Sequence, residues 1–190
     1  MTGRTKKTRA ALAAVSGALL IASGTVATAT EAGAVQPGAN VSARIAATAA
    51  ASSYHEIVNL AYHQCVEAPR GALNVRLRLA ECNGLSAAQK WAFVAAPAAS
   101  TYYLVNQAGG YCMEVNDGTA NPGETVDEYF CNGTASEQWV QSFRTVNGIV
   151  YQQFTHSGTS LCLDTVSGPG SQLMQWNCDA GNDAQTWLVR

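Results

Sequence analysis

The sequence predicts an all-β barrel with threefold pseudo-symmetry, and three registers that run in step predict it. Six cysteines fall into pairs, Cys65 with Cys82, Cys112 with Cys131 and Cys162 with Cys178, separated by 17, 19 and 16 positions. Each pair is followed by a tryptophan, Trp91, Trp139 or Trp187, at intervals of 48 residues. Six residues before each first cysteine stands Asn59, Asn106 or His156, after the apolar or β-branched pairs Ile57-Val58, Leu104-Val105 and Phe154-Thr155. Agreement of the three defines a unit of about 48 residues, present three times.

The elements follow in chain order. A basic stretch, Arg4–Arg9, leads into the apolar run Ala10–Ala22 and then into two A-x-A sites, Ala27-Thr28-Ala29 and Ala32-Gly33-Ala34. That order describes a secretory signal peptide over residues 1–34, cut after Ala34. The run is too Ala-rich and too short for a membrane anchor, which takes roughly 20 strongly apolar residues. Residues 35–53 are nearly all Ala, Ser, Thr, Gly, Pro and Val with one charge, Arg44, and read as a mobile leader. Only Ala43–Ala51 hints at a helix, with no evident apolar face.

From residue 54 the pattern is β, in repeats of about 54–100, 101–148 and 149–190. The third shows it best. Trp139–Phe143 is a short strand, and Asn147-Gly148 is a hairpin signal before Ile149–Tyr151. Ser157–Thr159 turns the chain into Leu161–Asp164, and Gly168–Gly170 breaks it before Leu173–Trp176. Four short strands per unit give twelve. No unit of this size buries a hydrophobic face alone, and closure into one barrel also removes exposed sheet edges. A three-bladed propeller is the poorer solution, since propellers use four blades or more. Export implies an oxidising compartment, where six cysteines form disulfides. The repeat favours pairing within each unit, each closure contributing roughly 3 kcal/mol in the chain-entropy model.

Composition narrows the function. The chain has 190 residues, 47% hydrophobic and 13% charged, with a net charge of −2. Four of its eleven basic residues lie in the first nine positions, so from Val35 onward 7 bases face 12 acids. An acidic body carries no clustered basic surface for nucleic acid. There is no C-x-x-C, and His55, His63 and His156 show no metal-ligand spacing, so neither a metal nor a cofactor is expected. G-x-S-x-G, H-E-x-x-H and Gly-rich phosphate loops are absent too. Asp127-Glu128 looks like a glycosidase couple, but neighbours on a strand point to opposite faces and cannot flank one bond. No enzyme is expected.

Gln89-Lys90-Trp91 and Gln185-Thr186-Trp187 are Q-x-W motifs, and Cys65-Val66-Glu67, Cys112-Met113-Glu114 and Cys162-Leu163-Asp164 are versions of one Cys-apolar-acid motif. With Ile57-Val58-Asn59 and Leu104-Val105-Asn106, they resemble the ricin-type lectins, the Q-x-W β-trefoil family of carbohydrate-binding modules, over residues 55–190. The resemblance implies a β-trefoil whose Q-x-W tryptophans are core. It also implies one shallow sugar site per unit, built from the acid after the first cysteine and an aromatic two residues before the second. An aromatic platform takes the apolar C–H face of a sugar, while a carboxylate accepts hydrogen bonds from adjacent hydroxyls.

Carried over by resemblance, the third unit fits best: Asp164 is the acid, Trp176 the platform, and Gln185 the residue that orients Asp164. Met174 stands where these lectins often have a polar group, and Ala184 where an asparagine often touches the sugar, with Asn177 or Asp183 as substitutes. The second unit offers Glu114, Asp127 and Tyr129, but reads Glu137-Gln138-Trp139, an acid replacing the glutamine. In the first unit Glu67 remains, but Ala80 occupies the platform position and Arg78 lies nearby, so no sugar is expected there. Structural readings compete: Trp176 packed under a loop, Asp164 bracing a turn, His156 making the hydrogen bond its Asn59 and Asn106 counterparts make.

The resulting expectation is a secreted, extracellular, non-catalytic lectin that has no contact with membrane after signal cleavage and binds galactose- or xylose-containing glycans. The alternative is a protein-binding trefoil, such as a protease inhibitor or a partner of a secreted toxin or hydrolase, using Ala95–Thr101 or Asp117–Glu124.

Overall fold

The computed structural model describes residues 37–190; the expected signal peptide lies outside them. Helix α1 (Pro37–Ala50) is followed by thirteen strands: β1 (Tyr54–His55), β2 (Ile57–Asn59), β3 (Cys65–Glu67), β4 (Arg78–Ala80), β5 (Trp91–Ala95), β6 (Thr101–Asn106), β7 (Cys112–Val115), β8 (Val126–Tyr129), β9 (Gln138–Val146), β10 (Ile149–His156), β11 (Leu161–Thr165), β12 (Leu173–Asn177) and β13 (Trp187–Val189). From β2 onward these are the twelve strands the repeat predicts, four per unit.

Barrel closure runs through one stretch of chain. Strands β5, β6, β9, β10, β13 and β2 pair antiparallel in that order. The circle is completed by β1, which pairs Tyr54 with Ala92 and His55 with Trp91, while β2 pairs Ile57 with Val189. The hairpins β3–β4, β7–β8 and β11–β12 hang from this ring as caps. Each cap leans on the next: Arg76 bridges to Asp127, Thr125 to Met174 and Arg78 to Gln172. Asn147 and Gly148, both at positive φ, form the turn of the long β9–β10 hairpin.

One constraint repeats three times inside. Trp91, Trp139 and Trp187 are fully buried, and each indole Nε1 donates to the carbonyl of the residue after its own unit's first cysteine: Val66, Met113 and Leu163, at 3.2, 3.0 and 3.3 Å. A buried indole needs such a partner, because an unmade hydrogen bond there costs about 1–3 kcal/mol. Around them Ile57, Leu79, Leu104, Phe154 and Leu173 complete the core. The disulfides Cys65–Cys82, Cys112–Cys131 and Cys162–Cys178 each close within a unit.

The units are stitched cyclically by the residue six before each first cysteine. Asn59 Nδ2 donates to Ala184 O, Asn106 Nδ2 to Ala88 O, and His156 Nε2 lies 3.0 Å from Ala135 O. His156 therefore does the structural work of the two asparagines. Burial holds its pKa below the usual value, keeping the imidazole neutral.

The leader reading needs correction. Residues 37–50 form α1, and Ile45 and Ala49 are buried against Val94, Tyr103 and Val105. Val41, Ile45 and Ala49 recur every four residues and make a narrow apolar stripe. The Ser42 hydroxyl also donates to Cys131 O. A stripe one residue wide, spelled partly in alanine, is easily missed in an Ala-rich sequence.

Two outcomes follow. Trp187→Phe keeps an aromatic ring but orphans Leu163 O, and should lower the unfolding free energy by about 2–4 kcal/mol at unchanged denaturant m-value. Ile45→Ala should cost about 2 kcal/mol in the same assay if α1 is docked, whereas a free leader would register no change.

Candidate carbohydrate sites

The three cap hairpins present three versions of one frame. In an antiparallel pair, directly opposed residues share a face with Cβ atoms roughly 5 Å apart. Asp164 opposes Met174 and Cys162 opposes Trp176, so acid and aromatic lie diagonally on one face of β11–β12. Leu163, Leu173 and the buried Gln175 occupy the other face, toward the core.

In the third unit Asp164, Met174 and Trp176 line one open cavity of about 350 Å³ together with Tyr62, Asn182 and Ala184. Trp176 is 44% exposed; no loop covers it, and one edge of its ring rests against Gly123 of the second unit, where a Cβ would come within 3.2 Å. Asp164 is buried but not spent: Gln185 Nε2 donates to Oδ2 at 2.7 Å and Thr165 N donates to Oδ1 at 2.6 Å, leaving further lone pairs. The second of these bonds lies within β11 itself, holding the carboxylate against its own strand. Gln185 is fixed in turn by Asp179 N and Asn177 O.

Two expected residues are placed elsewhere. Asn177 is exposed, opposite Leu161, and contributes its backbone carbonyl to Gln185 rather than its side chain to the cavity. Asp183 pairs with Arg144 at 3.1 Å. The polar group that does face the cavity is Asn182, whose Oδ1 accepts from Ala184 N, leaving its amide N–H groups to donate. The sequence carried a signal for it. Ser86, Thr134 and Asn182 each stand three residues before the Q-x-W glutamine or its replacement, a capping-box spacing ahead of the short 3₁₀ turns 87–89, 135–137 and 183–185.

The first unit keeps the frame and blocks it. Gln89 Nε2 donates to Glu67 Oε2 as Gln185 does to Asp164, but Arg78, directly opposite Glu67, donates to its Oε1 at 2.7 Å. Ala80 stands where Trp176 does, opposite the first cysteine.

In the second unit Glu114 opposes Asp127 and Cys112 opposes Tyr129, which is 37% exposed. All three line a cavity of about 540 Å³ with Asp117 and Ser136. Glu137 takes the glutamine's place and accepts from Asn132 N and Gly133 N, but cannot donate to Glu114 as Gln185 does to Asp164. Glu114 keeps only a 3.4 Å hydrogen bond from Ser136. Burial, followed by the neighbouring Glu137, pushes its pKa up to about 7. Burial also raises Glu137, against the pull of its two backbone donors. Asp127 and Glu128 alternate across β8, Asp127 opposite Glu114 and Glu128 opposite the core residue Met113. Both border the cavity, Asp127 half-buried, while Glu128 is 0% exposed and both its oxygens lack a partner. Desolvation raises Glu128 to about 8. Its counterpart Gln175 instead donates to Thr119 O and Asn121 O. Those same bonds, with Gly123 N to Gln175 O, tie down the Asp117–Glu124 loop considered for protein binding.

A ring of six barrel strands capped by three pseudo-equivalent hairpins defines a β-trefoil. The chain belongs to the ricin-type β-trefoil lectin family: the model of the ricin-type beta-trefoil lectin domain matches residues 100–190, and that of its lectin-like variant residues 44–129. Among solved structures it is similar to ThreeFoil, a designed 3-fold symmetric protein (TM-score 0.64, 19% identity, 72% of this chain and 96% of that one). It is likewise similar to 1,3Gal43A, an exo-beta-1,3-galactanase from Clostridium thermocellum (0.64, 21%, 72% and 30%). A third is the Polyporus squamosus lectin bound to Neu5Aca2-6Galb1-4GlcNAc (0.60, 17%, 73% and 48%). The chain thus spans less than half of the galactanase and of that lectin. No curated protein matches at the sequence level.

Two buried acids with raised pKa set the pH response. Glu128 and Glu114 ionise near 4.5 when unfolded but near 8 and 7 when folded. The unfolded chain therefore loses their protons first, and stability present at low pH is lost as pH rises from about 4.5 to about 8. His156, with its lowered pKa, adds stability as pH rises toward 6.5, so melting temperature should fall most clearly between about 6.5 and 8. Glu128→Gln should flatten the fall and add on the order of a few kcal/mol near pH 8.

Proposed function

We propose that this is a secreted, non-catalytic carbohydrate-binding protein whose principal site is in the third repeat. The observation that carries the reading is an exposed Trp176 ring sharing one cavity with Asp164, a carboxylate already oriented by Gln185 and still able to accept from sugar hydroxyls. Lectin family membership supports the same role. Asn182, rather than Asn177 or Asp183, supplies the neutral donor in this reading. Galactose- and xylose-containing glycans are the proposed ligands, and Met174 gives the floor an apolar contact for the ring. Recognition is reversible: the acid is already bound to Gln185 and Thr165, which suits holding a hydroxyl rather than moving a proton.

A single open site of this kind should bind at millimolar strength, about −4 kcal/mol, so retention on polysaccharide gains from a second site on the same chain. The second-repeat cavity, with Glu114, Asp127 and Tyr129, is proposed as that site. Export through residues 1–34 remains part of the proposal, in keeping with three disulfides.

On a glycan array, Trp176→Ala should lose retention of neutral glycans while its circular dichroism and melting temperature match the parent. Undiminished retention would reject the third-repeat site, and unchanged binding by Gln185→Glu would reject the orienting role of Gln185.

A further inference from the structure

The residue opposite the acid differs in each unit: Arg78 opposite Glu67, Asp127 opposite Glu114, and Met174 opposite Asp164. In the first unit the frame therefore contains its own cation, with a guanidinium nitrogen 2.7 Å from the carboxylate. This marks a point in the frame where a positively charged nitrogen is accommodated. In the second unit the two residues that face each other at this place in the ladder are both acids, Glu114 and Asp127.

We propose that the second-repeat cavity takes a cationic amino sugar, a hexosamine with a free ammonium group, stacked on Tyr129 with its nitrogen between Glu114 and Asp127. The inference rests on the reading of these frames as sugar sites and adds the ligand's charge. Beyond the charges, the open cavity with its exposed Tyr129 ring and the unmet acceptor capacity of the two acids point to a ligand. Glu114 is only 9% exposed, lines the cavity, and has a single long hydrogen bond in place of the two short ones that hold Asp164. Asp127 is half-buried, and its Oδ1 has no close hydrogen-bond partner, the Thr125 hydroxyl being near enough only to offset part of the rise that burial gives its pKa. An ammonium brings three donors to these acceptors, and the exposed face of Tyr129 is suited to both a sugar's C–H face and a cation.

The alternatives fit less well. Among the described residues no three His, Cys, Asp or Glu side chains stand close enough to share a metal ion, which disfavours a divalent cation. An acetamido group carries no charge and would bring Glu114 and Asp127 a single N–H donor in place of an ammonium's three.

The groups acting on Glu114 are Glu137, Asp127 and Asp117, all acidic, with Ser136 as the neutral donor; Arg76 lies near Asp127 and partly offsets its burial. Glu114 is thus partly protonated in the free protein near neutral pH, and ammonium binding should expel that proton.

The test is calorimetric titration of the Trp176→Ala protein, in which the third site is disabled, with the β-1,4 tetramer of glucosamine and separately with its fully N-acetylated counterpart. The free-amine tetramer should bind about tenfold or more tightly than the acetylated one, with proton release near neutral pH shown by buffer-dependent enthalpy. Asp127→Asn, checked for folding by circular dichroism, should weaken the amine tetramer by about tenfold. Equal affinity for the two tetramers overturns the inference, and that comparison requires no further variant. So does an equally tight complex with a tetralysine peptide, which would show that charge alone is recognised. If wild type retains neutral glycans through Trp176 while Trp176→Ala does not distinguish the tetramers, this inference falls and the lectin reading stands. Loss of all glycan retention by wild type would overturn both.

Discussion

The hydrogen bond from each buried indole to the carbonyl after the first cysteine is the constraint on which the remainder depends. It joins the last strand of a unit to the cap strand of the same unit across the core, through Trp91 to Val66, Trp139 to Met113 and Trp187 to Leu163. Because the accepting residue immediately precedes the acid, the bond fixes the backbone that carries Glu67, Glu114 or Asp164. Two residues before each indole sits Gln89, Glu137 or Gln185, positioned to reach that same acid. One buried contact therefore organises both the barrel and the surface frame. This explains why the Q-x-W spacing carries a fold and a site together.

With the frame held constant, the three units report what side chains alone change. Replacing Met174 by Arg at the opposing position, as in the first unit, converts an acceptor into a closed ion pair. Replacing Gln185 by Glu, as in the second, removes the donor that settles the acid and leaves a second buried carboxylate beside it. The tool is the same in each case, an acid on the strand after the first cysteine. Its protonation and availability are decided by one neighbour across the ladder and one on the following 3₁₀ turn. Fold-level kinship with lectins and glycosidase-borne modules cannot convey that; it is a property of particular residues.

Much of this was legible in the sequence because repetition amplifies weak signals. Four short strands per unit would be poor predictions singly, but three agreeing registers fix their existence, and the disulfide pairing comes with them. Trp176 stood out for the same reason, having no counterpart at Ala80. What the repeat could not reveal lies outside its symmetry. Helix α1 has no copy in the other units, and its stripe of Val41, Ile45 and Ala49 is little different from its Ala-rich surroundings. Asn182 was passed over for Asn177 and Asp183 because the choice depends on which way a 3₁₀ turn presents three adjacent side chains. Adjacent positions diverge sharply there: Asp183 reaches Arg144 and Asn182 caps the turn. Glu128 was legible only as pointing away from Asp127, not as a carboxylate lacking any donor.

The position of the third site in the chain adds a further constraint. Gln185 precedes Trp187, whose strand β13 pairs with β2 at the seam where the first and last repeats meet. That seam is held by reciprocal backbone bonds between Glu56 and Arg190 and by the buried Glu56 carboxylate, which Arg190 contacts at 2.9 Å and Lys90 at 3.6 Å. Asn59, on the same seam strand, anchors Ala184 beside Gln185. The residues that orient Asp164 are thus supported by contacts between the first unit and the third. The second unit's frame is tied to its neighbours in the same way, by His156 at Ala135 and Arg76 at Asp127, but away from the β13–β2 seam. The orientation of Asp164 consequently depends on barrel closure, whereas the acidic character of the second cavity is set by Glu114, Asp127 and Glu137.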